Sequence, residues 1–199
     1  MPKAFPVLRD GIRQLAVTLG LGKNYYIPAA DNEPERCTYG YGVLGLVTVA
    51  SPTDILQIAN PTGSNRIIRV KGIVINGLNG TTSNYGVRLL RRTTANTGGT
   101  PTVVVGFYHD STDPAPVAVV TAFAANPNLG NTDGTGHVGR LVAANASNLD
   151  RMAFQWGWQN DKVIILQPGE TLAINLGGAG NAGSNLDIDI ETCEEHIQS

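Results

Sequence analysis

Charged side chains are scarce in this sequence of 199 residues. Only 15% of the residues are Asp, Glu, Lys or Arg, against roughly 25% in an average soluble domain. The formal net charge is −2, and no block of like charges stands out. The arginines of RLLRR (88–92) form a short basic patch, but such a patch more often borders a sheet or meets an acidic neighbour. Because no basic surface is evident, no nucleic-acid partner is expected.

Cysteine and histidine are also few, and their spacing fits no metal centre. Cys37 and Cys193 stand far apart, in neither a CxxC nor a CxxxH spacing, which argues against zinc and thioredoxin-type chemistry. Whether they form a disulfide is left open by the sequence. His109, His137 and His196 lie in separate elements, so the paired imidazoles of an iron or manganese cupin are missing. We expect no metal, no cofactor and no catalytic residue.

Long apolar runs are absent as well. No stretch of about 20 apolar residues, the length that spans a bilayer, occurs in the sequence. Near the start, Arg9, Asp10, Arg13 and Gln14 interrupt the apolar segment that a signal peptide needs. The Gly-rich stretch GGAGNAGSN (177–185) lacks the Lys-Ser/Thr pair of a phosphate-binding loop. Neither a membrane nor a nucleotide is therefore expected as a partner.

Turn-forming and strand-forming residues are abundant instead. The sequence has 24 Gly and 11 Pro, and runs of β-branched or aromatic residues recur about every 10 residues between turn clusters. This pattern is typical of an all-β fold, and we predict an antiparallel, jelly-roll-like sandwich or barrel. Since a jelly roll has about eight strands, some of the candidates are expected to be loops or small extra strands. The eleven candidates are 43–50, 54–60, 66–76, 85–93, 102–109, 117–124, 137–144, 152–158, 162–167, 171–177 and 186–192.

Alternation of apolar and polar residues assigns faces to two of these strands. In LDIDIET (186–192) the apolar residues share one face and the acidic residues the other, as a half-buried strand requires. The apolar residues of TLAINLG (171–177) share a face in the same way. Because Pro168 and Gly169 form a turn signal just before them, we predict that residues 163–177 are a hairpin that closes a sheet.

The first 40 residues differ from the rest of the chain. After a helix-like stretch, residues 23–42 show no periodicity and are typical of an extended arm. We predict an N-terminal arm with a short helix over residues 1–40, acting as a docking segment. The β-sandwich domain is predicted over residues 41–199. The apolar residues that form one face of the predicted helix are Ile12, Leu15, Ala16 and Leu19.

The stretch HDSTDP (109–114) has the residue types of a small binding loop. His109, Asp110 and Asp113 offer ligands of the kind that calcium or a carbohydrate takes. Their spacing is not that of a calcium loop. An Asx-type turn, in which Asp and Ser side chains bond nearby backbone amides, is the preferred interpretation.

A row of carboxylates occupies one face of the last candidate strand. Asp187, Asp189 and Glu191 alternate with apolar residues. Paired carboxylates can hydrolyse glycosides. The same alternation describes any solvated strand face, and that is the preferred interpretation.

Two tryptophans and one polar segment are the remaining candidates for ligand contact. Trp156 and Trp158 share a strand face and either stack on a sugar or, as is more common, belong to a core or an interface. The segment 126–136 (NPNLGNTDGTG) is predicted to be an exposed loop that makes variable contacts. Together they would form the contact surface of a lectin-like module.

The order of the segments resembles that of a group of tailed-phage virion proteins. ILQIANPTGSNRIIRVKGIVI is followed by RLLRRTTANTGGT, by HDSTDPAPVAVV and by VIILQPGETLAINL, and then by an acidic final strand. Proteins of this group are small jelly-roll proteins that decorate or cement the capsid, or serve as minor head and fibre parts. The resemblance covers about residues 40–195 of the chain.

The resemblance implies a non-enzymatic virion component on the capsid surface, made in the host cytoplasm. Such a protein is commonly a homotrimer that binds the major capsid protein and stabilises the shell. The family supplies no catalytic residue. The alternative is a minor head, collar or tail-fibre component with a receptor- or carbohydrate-binding role, using segment 126–136 and the strand of Trp156 and Trp158.

Overall fold

A computed structural model describes the β domain of the chain. The described residues are 37–47, 52–78, 83–143, 150–156, 162–177 and 185–197. Within these ranges the chain forms strands and no helix, so the predicted all-β class is confirmed. The strands are β1 (Cys37–Val47), β2 (Thr53–Ala59), β3 (Arg66–Leu78), β4 (Ser83–Arg92), β5 (Pro101–Val104), β6 (Phe107–Tyr108), β7 (Val119–Phe123), β8 (Thr132–Ala143), β9 (Asp150–Gln155), β10 (Ile164–Leu166), β11 (Thr171–Leu176) and β12 (Asn185–His196).

The strands form two antiparallel sheets arranged as a sandwich. Sheet A has the order β10-β3-β12-β1-β6, with β9 also paired to β3, and sheet B has the order β5-β7-β2-β11-β4-β8. Eight strand positions follow jelly-roll order. They are β1, β12, β3 and a position shared by β9 and β10 in one sheet, and β2, β11, β4 and β8 in the other. The strands β5, β6 and β7 lie in an insertion between β4 and β8 and extend both sheets.

The hydrophobic core lies between the sheets. It is formed by the apolar residues that alternate with polar ones along the strands. Leu186, Ile188 and Ile190 of β12 are at most 2% exposed, and Asp187 and Asp189 point the other way, as predicted. In β11 the apolar residues also face the core, but the alternate residues are buried as well. The outer face of sheet B is therefore covered around β11, which alternation alone did not indicate.

The predicted hairpin over residues 163–177 is wrong. The turn exists: Glu170 N donates to Gln167 O at 2.9 Å, and Gly169 has φ +89°, which favours glycine in the third position of such a turn. The strands on either side, however, belong to different sheets, since β10 pairs with β3 and β11 pairs with β2 and β4. The turn therefore connects the two sheets of the sandwich.

Three further segments differ from the prediction by more than a few residues at a strand end. The candidate strand 102–109 is two strands, β5 and β6, which belong to different sheets. Segment 126–136 is not a loop throughout, because β8 begins at Thr132 and pairs with β4. The first strand begins at Cys37, inside the predicted arm. The predicted helix and the rest of the arm lie outside the described residues.

Candidate functional site

The segment 101–108 forms one edge of the sandwich. Its first part, β5, pairs with β7 at the margin of sheet B, and its second part, β6, pairs with β1 at the margin of sheet A. The chain crosses between the sheets at Gly106, where a Cβ atom would lie 3.1 Å from side-chain atoms of Tyr41 and Pro116. One short segment thus supplies the outermost strand of both sheets.

This edge is apolar and exposed. Val103 is 65% exposed, Val105 85% and Phe107 71%, and we call these three residues the apolar edge. Residues 93–108 contain no Asp, Glu, Lys or Arg. Proteins usually protect edge strands with charge, proline or a covering segment, and clustered exposed apolar residues mark contact surfaces. The apolar edge therefore has the properties of a contact surface.

A buried polar network holds the base of the insertion on the outer face of sheet B. Asp54 is fully buried, and its carboxylate accepts hydrogen bonds from Arg92 Nε and Nη2 at 2.9 and 2.8 Å. Asn96 Nδ2 donates to the same carboxylate at 2.8 Å and Asn175 Nδ2 at 2.7 Å. Four charge-assisted bonds thus satisfy the buried carboxylate.

The same network joins the loop that contains Asn96 to the loop that contains Gly130. Asn96 N donates to Gln57 Oε1 at 2.9 Å, and Asn96 Oδ1 accepts from Gly130 N at 2.8 Å. Arg92 Nη1 donates to Gly130 O at 2.8 Å. The loops on both sides of β5 and β7 are therefore fixed against the sheet, which gives the apolar edge a rigid support.

The basic patch 88–92 is used within the fold. Arg91 Nη1 lies 2.8 Å from Glu170 Oε2, and Arg91 Nη2 donates to Ile165 O at 3.0 Å. Arg88 donates to Asn175 Oδ1, and Arg92 is paired with Asp54. The interpretation that these arginines meet acidic neighbours is thus confirmed for Arg91 and Arg92.

A second buried ion pair fixes the segment that leads into β7. Arg66 Nη1 lies 2.9 Å from Glu194 Oε2, and the Glu194 carboxylate also accepts from Val117 N and Ala118 N at 2.8 to 3.0 Å. Burial lowers the pKa of Arg66, but the bond and charge of Glu194 outweigh it, so that this pKa stays above its usual value.

Sequence reasoning did not find this pair. A bulge between Glu191 and Thr192 shifts the register of β12 against β3, and the next three residues, Thr192 to Glu194, are buried. The regular alternation of LDIDIET gives no sign that it ends there. The position of a bulge depends on tertiary pairing, which one sequence does not display.

The stretch 109–114 is an Asx-type turn, as preferred from the sequence. Thr112 N and Thr112 Oγ1 donate to Asp110 Oδ1 at 2.8 and 2.7 Å, and Asp113 N donates to Asp110 O at 3.1 Å. These bonds to Thr112 lower the pKa of Asp110. His109 lies beside Phe107, with ring centroids 6.0 Å apart.

The carboxylate row of β12 is divided among separate partners. Asp187 Oδ1 accepts from Gly45 N at 2.8 Å, Glu191 lies 2.8 Å from Lys71 Nζ, and Asp189 is exposed. In the part of the chain that the structure describes, no group of three or more His, Cys, Asp or Glu side chains could hold a metal ion. His196 is exposed at the end of β12.

Trp156 is a core residue, which is the interpretation that the sequence favours for it. It is 9% exposed, its Nε1 donates to His137 Nε2 at 3.1 Å, and its ring stacks with Phe154 at 6.3 Å and 8°. Trp158 lies outside the described residues. Trp156 therefore does not form the alternative, a platform on which a sugar stacks, and its hydrogen bond to His137 places it next to β8.

His137 also lines a cleft between the sheets. The cleft has a volume of about 320 Å³. Its lining residues come from β4, β8, β10 and β11 and are Leu89, Arg91, Asp133, Gly134, Thr135, Gly136, His137, Ile164 and Leu172.

Cys37 and Cys193 are not joined by a disulfide. They lie on the paired strands β1 and β12, where Cys37 is opposite Glu194 and Cys193 is opposite Thr38. Because adjacent residues of a strand point to opposite faces, the two thiols project from opposite faces of sheet A.

The comparisons with known proteins leave the family open. The residues that the structure describes include no helix that could cross a bilayer. No protein-family model, no curated protein and no solved structure matches this chain.

Proposed function

We propose that this chain is a non-enzymatic structural protein of a tailed-phage virion, which decorates or cements the capsid. It binds the major capsid protein and other copies of itself, and a homotrimer is its working state. The observation that carries the proposal is the apolar edge, where Val103, Val105 and Phe107 are exposed along the segment that supplies the outermost strand of each sheet. The order of the segments resembles that in virion proteins, and this resemblance is the reason for proposing a phage capsid as the assembly.

Edge chemistry supports an assembly role. An outermost strand has unpaired backbone donors and acceptors, and an uncharged apolar edge invites another chain to cover it. A neighbour that covers segment 101–108 would shield the margins of both sheets at once. The low charge of the chain, 15% of residues, also reduces the number of strongly hydrated groups that lose water on contact.

The two edges of the domain differ from each other, which is compatible with a ring in which one edge of each copy contacts the other edge of the next. The edge opposite segment 101–108 is formed by β8 in sheet B, where Val138 is 66% exposed. Contact between unlike edges is head-to-tail, and it closes into a ring when the rotation between copies permits. A trimer is the smallest ring of this kind and is the state we propose.

Solution mass tests the self-association. We expect a trimer at micromolar concentration by light scattering with size-exclusion chromatography, and dissociation by Phe107→Asp or Val103→Asp. Leu44→Asp is the matched control, because Leu44 is 88% exposed but lies outside the apolar edge. A wild-type monomer, or equal dissociation by the control, would contradict the proposal.

Copy number distinguishes the main proposal from the alternative. Quantitative mass spectrometry of purified particles gives the copies of this chain relative to the major shell protein. Hundreds of copies indicate a lattice-wide decoration protein. A dozen or fewer indicate a vertex, collar or fibre component, and the alternative of receptor or carbohydrate binding then takes precedence. Absence of the chain from particles would contradict both.

A further inference from the structure

We propose that the cleft between β8 and β10 is a binding site for a neutral saccharide unit. The site goes beyond the assembly role, since its lining includes neither a residue of the apolar edge nor Val138 of the β8 edge. It lies where the outermost strand of sheet B, β8, and the short outer strand β10 of sheet A border the interior. Its volume of about 320 Å³ is at the lower end of the range of small-ligand sites.

The floor of the cleft is apolar. Leu89 and Leu172 belong to the core of sheet B, and Ile164 of β10 packs against that core from sheet A. A sugar ring has an apolar face of C–H groups beside its hydroxyls. Such a floor matches that face and contributes the apolar part of binding.

Two polar groups of the cleft, His137 and Arg91, are held in place by their neighbours. His137 Nε2 accepts the Trp156 Nε1 hydrogen bond at 3.1 Å, so in a neutral imidazole the proton is on Nδ1, which is then a donor. Arg91 is held by Glu170 at 2.8 Å and by Ile165 O at 3.0 Å. Groups that are fixed before binding lose less conformational freedom when a ligand arrives.

Charge selects the class of ligand. Arg91 is compensated by Glu170, and Asp133, also in the lining, adds a carboxylate at the rim. Arg91, Glu170 and Asp133 together carry one net negative charge, which disfavours phosphate, sulfate and acidic sugars.

The donors and acceptors suit hydroxyl groups. Asp133 accepts hydrogen bonds, His137 Nδ1 and Arg91 donate, and the Thr135 hydroxyl does both. A sugar hydroxyl is likewise donor and acceptor at once. The apolar floor, the mixed rim and the negative charge together fit a neutral saccharide better than an anion or a purely apolar ligand.

A glycan array probed with the full chain tests the proposal. We expect binding to neutral glycans and not to sialylated or sulfated ones. Asp133→Asn should weaken the selected glycan about tenfold or more, because a charge-assisted hydrogen bond is lost. Asp189→Asn is the matched control, since Asp189 is an exposed carboxylate on sheet A, and it should leave affinity unchanged.

A second variant tests the positioning of His137. Trp156→Phe keeps an aromatic ring but removes the donor to His137 Nε2, so we expect weaker glycan binding at an unchanged oligomeric state. Thermal unfolding of each variant establishes that it is folded. No glycan binding, binding that prefers acidic glycans, or equal loss in Asp133→Asn and Asp189→Asn would overturn the proposal.

Discussion

Arg92 holds Asp54 through two parallel hydrogen bonds, from Nε to Oδ2 at 2.9 Å and from Nη2 to Oδ1 at 2.8 Å. Both side chains are at most 4% exposed. Removing one partner of such a pair leaves an unpaired charge in the interior, which costs about 3–5 kcal/mol. We expect Asp54→Ala to lower the free energy of unfolding by this amount in urea denaturation. Asp189→Asn, on an exposed face, should change it by less than about 0.5 kcal/mol.

Substitution of Glu194 is expected to lower the stability of the whole domain and to loosen the backbone near Val117. Glu194→Gln keeps the shape but removes the charge that Arg66 Nη1 faces at 2.9 Å, so we expect a loss of about 2–3 kcal/mol. The amides of Val117 and Ala118, which donate to this carboxylate, should exchange hydrogen faster. Glu195→Gln is the control, since its pair with Arg69 is partly exposed and contributes little. Equal effects of the two variants would contradict the buried role of Glu194.

Position 130 requires glycine because two loops approach each other closely there. A Cβ atom at this position would lie 1.9 Å from Thr94 O, so Gly130→Ala must displace the backbone that Arg92 and Asn96 bind. We expect a loss of about 3 kcal/mol in thermal or urea unfolding. At Gly42 a Cβ atom would meet nothing within 4 Å, and Gly42→Ala should be nearly neutral. A neutral Gly130→Ala would show that the two loops are not held together.

Alkaline pH should destabilise the fold through Tyr41. Burial raises the pKa of Tyr41 well above its usual value of 10.0, so the folded chain holds this proton more tightly than the unfolded chain. Stability is then unaffected below pH 10 and falls as the pH rises above it. In Tyr41→Phe this contribution is absent, and we expect a smaller fall of the unfolding free energy between about pH 9.5 and 11. Identical pH profiles would exclude Tyr41 as the cause.

Reducing agents should not change the stability of the protein. Cys37 and Cys193 project from opposite faces of the paired strands β1 and β12, so a disulfide would require backbone movement. We expect the same melting temperature with and without dithiothreitol. Alkylation of the denatured, unreduced chain should modify both cysteines, as read from the intact mass. A single unmodified pair would contradict the register of β1 and β12.

The sequence predicted what depends on local pattern. Period-two alternation placed Leu186, Ile188 and Ile190 in the core, and Pro168 with Gly169 marked a real turn. The same pattern does not say which strand lies beside which, so it predicts one sheet for the strands joined by this turn, although they belong to two. Alternation reports a face of a strand, and pairing is decided by contacts that are distant in sequence.

The buried polar residues were beyond local pattern altogether. Asp54 and Glu194 look like ordinary surface carboxylates in the sequence, and their partners Arg92 and Arg66 are 38 and 128 residues away. Only the folded chain brings them together. The cleft is similar. The sequence marks segment 126–136 and Trp156 as candidates for ligand contact, but their connection through His137 depends on where β8 begins.

The place of β12 in sheet A has a consequence for the synthesis of the protein. This strand lies between β3 and β1 and pairs with both along most of its length. On the ribosome, β1 and β3 therefore remain without their shared neighbour until residues 185–196 have emerged. Incomplete chains with unpaired strand edges are prone to aggregate. Strands that are far apart in sequence also pair slowly. The yield of soluble protein is thus expected to depend on what shields β1 and β3 in the nascent chain, more than on the stability of the finished fold.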